Sequence, residues 1–284
     1  MKQVLLSIAA CSWLLAVVDG PAADVSPFFA GNPCGFLLRR GFAGQVSQGG
    51  MAFLASSFAW IASEDKSQGS AKMPRGLPRG ASPSEKWEKD IQAFEKADRT
   101  NPPPQGAVLF IGSSTIRLWK TLRQDFPEYK VINRGFGGSQ IADSIYYADR
   151  IVIPYKPKMI VFYAGGNDIN AGKTPEKVCE DFKMFVERVR AKLPEVRIAY
   201  MSTGPSPARW AQVEKQKKVN ELIREYIIGA GNMDYIDVFD VFLGPDGKPL
   251  ENLFVKDKLH NSDEGYKIRV KAVRPYLEKR FPSK

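Results

Sequence analysis

The strongest constraint on this chain is an alternation. Short β-rich runs stand at 107–111 (Ala-Val-Leu-Phe-Ile), 130–133, 159–163 (Met-Ile-Val-Phe-Tyr), 196–202 and 234–239. Stretches of helical character lie between them near 116–124, 140–150, 175–192 and 208–229, and a last one covers 263–280. A strand buried on both faces is apolar throughout, not at every second position. Such runs separated by helices therefore predict a parallel sheet covered on both sides. Right-handed crossovers turn this into a three-layer α/β/α sandwich around a five-stranded parallel sheet. Ligands of such sheets bind beyond the carboxyl ends of the strands, so the loops that follow the strands are where chemistry is sought.

Composition narrows the chemistry. With 284 residues, 44% hydrophobic and 25% charged, the chain can bury a core without disulfides or structural metal. Its three cysteines, Cys11, Cys34 and Cys179, form no C-x-x-C pair, which excludes a zinc ribbon or a disulfide scaffold. Cys34 and Cys179 are expected to be free thiols. The formal net charge of +10 suits anionic surroundings or substrates. No dense Lys/Arg block accompanies it, so nucleic acid is not an expected partner. There is one histidine, His260. Multi-histidine metal sites are thereby excluded, no metal or cofactor is expected, and any neutral-pH imidazole base must be His260. A lone histidine is more often structural than catalytic, so its neighbours decide.

The N-terminus has the features of a targeting segment. Lys2 precedes an apolar run from Val4 to Val18, closed by Pro21-Ala22-Ala23. That run is short for a membrane span and suits a signal-peptide core. Residues 1–23 are therefore expected to direct export to the periplasm, cell surface or medium, leaving no stable membrane span in the mature chain. Ile8-Ala9-Ala10-Cys11 resembles a lipobox, but the apolar run continues past the cysteine. Residues 24–81 show no sustained periodicity and are expected to be a linker or a disordered segment; the apolar patch from Ala52 to Ala62 also admits an anchor or a start-site artefact. Order is expected from Ser82, where Ser82-Pro83-Ser84-Glu85 matches a capping box. Trp87, Ile91 and Phe94 then predict a helix over 84–98, stopped by Thr100-Asn101-Pro102-Pro103-Pro104. Residues 82–104 are thus a docking helix and connector, and 105–284 the main domain.

The loops after the first three strands carry Gly112-Ser113-Ser114-Thr115, then Asn133-Arg134-Gly135-Phe136-Gly137-Gly138-Ser139, then Gly165-Gly166-Asn167-Asp168. Asp257-Lys258-Leu259-His260 precedes the last helix. Each motif alone is weak, since Gly-Ser turns and Asp-x-x-His pairs are common. Together they supply what acyl transfer needs: a hydroxyl nucleophile, an imidazole base, a carboxylate to orient it, and N–H donors for the developing oxyanion. Rival motifs fail on spacing. Gly112-x-Ser114-x-Ile116 lacks the second glycine of a nucleophile elbow, Gly135-x-Gly137-x-x-Gln140 lacks the third glycine of a dinucleotide fingerprint, and no P-loop occurs.

These four blocks resemble those of the SGNH/GDSL hydrolases over roughly residues 105–280. The resemblance implies a flavodoxin-like fold and serine esterase activity. It assigns Ser114 as nucleophile, Asp257 and His260 as its partners, and the Ser114 N–H, the Gly138 N–H and the Asn167 side chain as the oxyanion hole. Ser113 stands where the family has aspartate, and Asn261 where it usually has proline. Asp168 is expected to hold its loop, not to act in catalysis. Arg209 and Trp210, after the fourth strand, form a candidate substrate lip, with a packing role for Trp210 equally open.

The implied reaction is hydrolysis of carboxylic esters, short-acyl and carbohydrate-linked acetyl esters among them, so the expected partner is a small-molecule or glycan ester. Lipase, thioesterase and phospholipid acetylhydrolase activities, or glycan binding without catalysis, stand as alternatives. The oligomeric state stays open.

Overall fold

The computed structural model describes residues 83–282. The expected signal peptide at 1–23, the segment 24–81, Cys11, Cys34 and Ser82 lie outside the described residues. So do Ser283 and Lys284. The strands are β1 (Val108–Gly112), β2 (Val131–Gly135), β3 (Met159–Tyr163), β4 (Arg197–Met201) and β5 (Met233–Ile236). They pair in parallel in the order β2-β1-β3-β4-β5. This is the flavodoxin-like doubly wound order, whose direction of winding reverses between β1 and β3.

The apolar runs divide between two cores. Leu109, Ile111, Ile160, Phe162, Ile198 and Tyr200 face one layer, while Val108, Phe110, Met159, Val161, Ala199 and Met201 face the other. The side chains alternate in direction along each strand, and both sides are dry because each is covered by helices. The first layer contains α7 (Pro175–Arg190), through Val178, Phe182, Phe185 and Val189, and α8 (Val213–Gly229), through Val219 and Ile223. The second is covered by α9 (Asp263–Arg280) through Val273 and Leu277.

Three expected helices are broken. The stretch 116–124 becomes α2 (Ser114–Arg117) and α3 (Leu122–Asp125). The stretch 140–150 becomes α4 (Ile141–Tyr146) and α5 (Ala148–Ile151). The stretch 208–229 opens with a 3₁₀ turn, Pro207–Gln212, before α8. The break in the first falls within a row of buried residues, Ile116, Trp119, Leu122 and Phe126, so its apolar spacing does not betray it. The helix expected over 84–98 is α1, which begins late, at Glu88–Thr100, behind a 3₁₀ turn Pro83–Trp87, and one short helix not expected from sequence, α6, spans Gly166–Asn170.

Of the expected capping box, Ser82 lies outside the described residues, and Ser84 belongs to the turn that docks on the domain. Ser84 is buried, its hydroxyl donates to Asp143 Oδ1 (2.6 Å), and its carbonyl accepts from the Tyr147 hydroxyl (2.9 Å). These long-range bonds hold the turn on the domain. Arg150 then bonds Glu88 (2.8 Å) and Glu95 (2.6 Å) on α1, and Arg134 pairs with Asp98. Cys179 is a buried free thiol, and burial pushes its pKa up. Among the described residues no helix is long and apolar enough to cross a membrane.

Candidate active site

The three post-strand loops and the segment before α9 converge at the carboxyl edge of the sheet, at the reversal between β1 and β3. The chain leaves β1 at Gly112, which has φ +145° and lies so close to β3 that a Cβ would stand 1.9 Å from the Tyr163 carbonyl oxygen. Only glycine fits this approach. Ser113 follows as the residue preceding α2, its N–H donating to that same Tyr163 carbonyl (3.1 Å). Ser114 is then the first residue of α2.

Ser114 Oγ stands 2.9 Å from His260 Nε2, and His260 Nδ1 stands 2.6 Å from Asp257 Oδ2. A carboxylate can only accept, so Nδ1 carries the proton and Nε2 is free to accept from the serine hydroxyl. The Asp257 carboxylate has two tasks. Its other oxygen, Oδ1, accepts from the backbone N–H groups of Leu259 and His260 (both 2.9 Å), which folds the turn that presents the imidazole. Lys258 takes a positive φ of 56° in that turn. Partial burial acts to raise the Asp257 carboxyl, but the bonds from His260 and Leu259 outweigh it and hold its pKa at about 2. The carboxylate is therefore charged throughout the neutral range.

Asn261 occupies the position after the histidine with a defined purpose. Its residue bridges Phe254 on the neighbouring strand-like segment, and its Oδ1 accepts from Nε of the buried Arg269 on α9 (2.7 Å). Arg269 also reaches the Tyr163 hydroxyl (3.3 Å) and lies over the Tyr163 and Phe242 rings. Burial raises the Tyr163 phenol, yet the Arg269 charge and the hydrogen bonds around it prevail and hold it below its ordinary value.

The three donors expected of an oxyanion hole lie on these loops. Among the described residues the N–H groups of Ser114 and Gly138 have no protein acceptor. Gly138 takes φ +76°, a left-handed conformation, and a Cβ there would meet the Trp87 ring at 3.1 Å. The Asn167 carboxamide is oriented from both ends: Nδ2 donates to the Ser139 carbonyl (2.9 Å), and Oδ1 accepts from Arg209 Nη2 (2.9 Å). A guanidinium has only donors, so the amide cannot flip, and its second Nδ2 hydrogen stays available. Asp168 is fully buried. It accepts from Lys173 (2.8 Å) and from the Ile141 N–H, and burial raises its pKa beyond what Lys173 removes. Its bonds tie α6 to α4, and it does not line the pocket.

Ser114, His260, Asn167 and Arg209 line a common pocket, floored by Tyr163, Thr203 and Gly204. It offers about 40 Å³ to the centre of a water-sized sphere, room for roughly three waters. Of the expected lip, only Arg209 lines it. Trp210 is half-buried outside the pocket. Sequence reasoning missed Trp87 as the cover of Gly138, and Tyr163, Gln216 and Arg269 as pocket residues. For Arg269 a signal exists: it is the one charged member of the buried row Tyr266, Arg269, Val273, Leu277 on α9. No group of acidic, histidine or cysteine side chains among the described residues is arranged to hold a metal.

Known proteins share this arrangement of sequence and fold. Residues 111–268 match the family model of the GDSL-like Lipase/Acylhydrolase family. The chain is 28% identical over 190 residues to the platelet-activating factor acetylhydrolase IB subunit alpha1 of Bos taurus, covering 64% of this chain and 78% of that one. It is 25% identical over 213 residues to the alpha2 subunit of Rattus norvegicus, covering 70% and 88%. A GDSL-like lipase of Bacteroides thetaiotaomicron has the same fold, with a TM-score of 0.58 at 20% identity over 68% of this chain and 98% of that one.

Proposed function

Because the chain belongs to the GDSL-like Lipase/Acylhydrolase family and is an ester-bond hydrolase, we propose that it cleaves short-acyl carboxylic esters with Ser114 as nucleophile. The observation that carries this reading is the continuous relay from Asp257 through His260 to Ser114, facing a pocket with room for only a few heavy atoms.

In the proposed reaction His260 Nε2 takes the Ser114 proton as Oγ attacks the ester carbonyl. The carbonyl oxygen becomes an oxyanion and accepts from the Ser114 and Gly138 N–H groups and from Asn167 Nδ2. His260 then delivers the proton to the leaving alcohol oxygen as the C–O bond breaks, leaving an acyl group on Ser114. Water, deprotonated by His260, attacks that acyl-enzyme, and the carboxylic acid departs as Oγ recovers its proton. Asp257 stabilises the imidazolium in both half-reactions and stays ionised throughout.

A short acyl group is supported by the pocket volume and agrees with the acetylhydrolase names of the relatives. Those names favour a second reading on the alcohol side, an acetylated phospholipid in place of an acetylated glycan. Export through residues 1–23 belongs to the same proposal and rests on the sequence alone.

The test is hydrolysis of p-nitrophenyl acetate and p-nitrophenyl octanoate by the full chain, with Ser114→Ala alongside. Acetate turnover well above octanoate turnover, abolished in Ser114→Ala, is the expected result. A folded wild type that is inert on both esters and unlabelled by a fluorophosphonate overturns the proposal.

A further inference from the structure

The protein pairs its partly buried cations with care. Arg134, Arg150, Lys173, Arg197, Arg274 and Arg280 each reach a carboxylate. Arg190 reaches the backbone carbonyls of Gly231 and Asn232. Among the described residues two non-exposed cations reach neither, and both line the pocket in front of Ser114: Arg209 and Arg269. Arg269 has neutral partners only, Asn261, Tyr163 and Met201. Arg209 has a single one, the Asn167 carboxamide. Its Nη1 lies beside the backbone of Gly166, within 3.4 Å of where a Cβ would stand.

The carboxylates that could answer these charges are committed elsewhere. Asp257 is taken up by His260 and two backbone N–H groups, and Asp168 by Lys173 and Ile141. No Asp or Glu lines the pocket. Taking a guanidinium partly out of water without a counter-charge is costly. A protein that answers its other such charges internally and leaves two open at one pocket has an electrostatic field there suited to an incoming anion.

Resting on the esterase reading above, we propose that the natural ester carries a negative group, carboxylate or phosphate, beside the scissile bond, and that Arg209 binds it. Arg209 presents N–H donors beyond the one spent on Asn167, in a planar fork that matches either anion. Arg269 lines the same pocket and adds to its positive charge. The anion can sit on the acyl group or on the alcohol, and matched substrates separate the two. The small pocket favours the alcohol side, where a uronate or a phosphodiester adjoining an acetyl ester would present its charge to Arg209.

The experiment compares kcat/KM of the full chain on four esters: p-nitrophenyl butyrate against p-nitrophenyl hemisuccinate for the acyl side, and acetylated methyl glucoside against acetylated methyl glucuronide for the alcohol side. Expected is a preference for the anionic member of one pair, weakening as salt rises. In Arg209→Met that preference should fall by roughly 10- to 100-fold, the worth of one hydrogen bond to a charged group, and Arg209→Lys should restore most of it. Neutral esters are also expected to slow in Arg209→Met, through Asn167, so the ratio within each pair is the readout. Turnover of the neutral esters with no charge preference in either pair overturns the proposal and leaves the esterase reading intact. Inactivity on all four and on p-nitrophenyl acetate overturns the esterase reading, and this proposal with it.

Discussion

The indole of Trp87 lies over Gly138, so close that a methyl group on the glycine would come within 3.1 Å of the ring. Trp87 belongs to the 3₁₀ turn ahead of α1, and Gly138 to the loop after β2. The same ring meets Phe136 edge-on at 6.0 Å. The docking segment therefore acts on the proposed site directly: it presses the Gly138 loop from outside and limits how far its N–H can move.

Gly138→Ala tests this contact. At φ +76° a side chain costs about 1–2 kcal/mol, and here it also meets the indole. A folded variant with a Tm a few degrees lower and kcat reduced about 10-fold or more is expected. Trp87→Ala should relieve the clash but loosen the loop, so the double variant should recover stability and not kcat. Circular dichroism melts and p-nitrophenyl acetate kinetics read both, and an unaltered kcat in Gly138→Ala would remove Gly138 from the site.

Asn167→Ala deletes a proposed oxyanion donor and leaves Arg209 without its only partner. A loss of one such donor costs about 10²–10³ in turnover, and that loss should appear in kcat with little change in KM. An equal rise in KM at constant kcat would instead mark Asn167 as a ground-state binding residue.

Asp257 gives a pH prediction with a definite sign. Its folded pKa, about 2, is below the unfolded value near 4. The stability it contributes is therefore complete above about pH 4 and is lost as pH falls toward 2. Urea unfolding of wild type and Asp257→Asn should differ at neutral pH and converge near pH 2. Turnover of the variant should drop by roughly 10³–10⁴, as when the orienting carboxylate of such a triad is removed. A persistent stability gap at pH 2 would show that the turn at Lys258, not the charge, accounts for it.

Asn261→Ala strips the buried Arg269 of its Nε acceptor. Leaving a buried donor unpaired costs about 1–3 kcal/mol, so the unfolding free energy should fall by that amount, read as a lower urea midpoint at unchanged slope. Asn261→Asp keeps the acceptor and should retain most of the stability. A midpoint equal to wild type in the alanine variant would mean that Arg269 is satisfied elsewhere.

The sheet was legible because its strands are buried on both faces and so read as unbroken apolar runs. β3 falls on the expected residues, 159–163. Helix breaks were not legible: Ile116, Trp119, Leu122 and Phe126 keep helical spacing across two short helices, and Tyr147 separates α4 from α5 while itself fully buried. In the site, Ser114, Gly138, Asn167, Asp257 and His260 could be nominated because each belongs to a short local motif. The contacts among Trp87 and Gly138, Arg209 and Asn167, or Arg269 and Asn261 leave weaker traces. The first two join distant parts of the chain, and the third concerns a substitution whose purpose appears only when α9 is folded against it.

The chain's one imidazole bridges Ser114 and Asp257. In most enzymes a histidine resonance must be assigned before it can be interpreted. Here the ring protons and nitrogens in a magnetic resonance spectrum have a single source, so the full chain brings its own reporter of proton position at the proposed nucleophile. Titration, inhibitor capture and each variant above can be followed by that one signal, provided no affinity tag introduces a second imidazole.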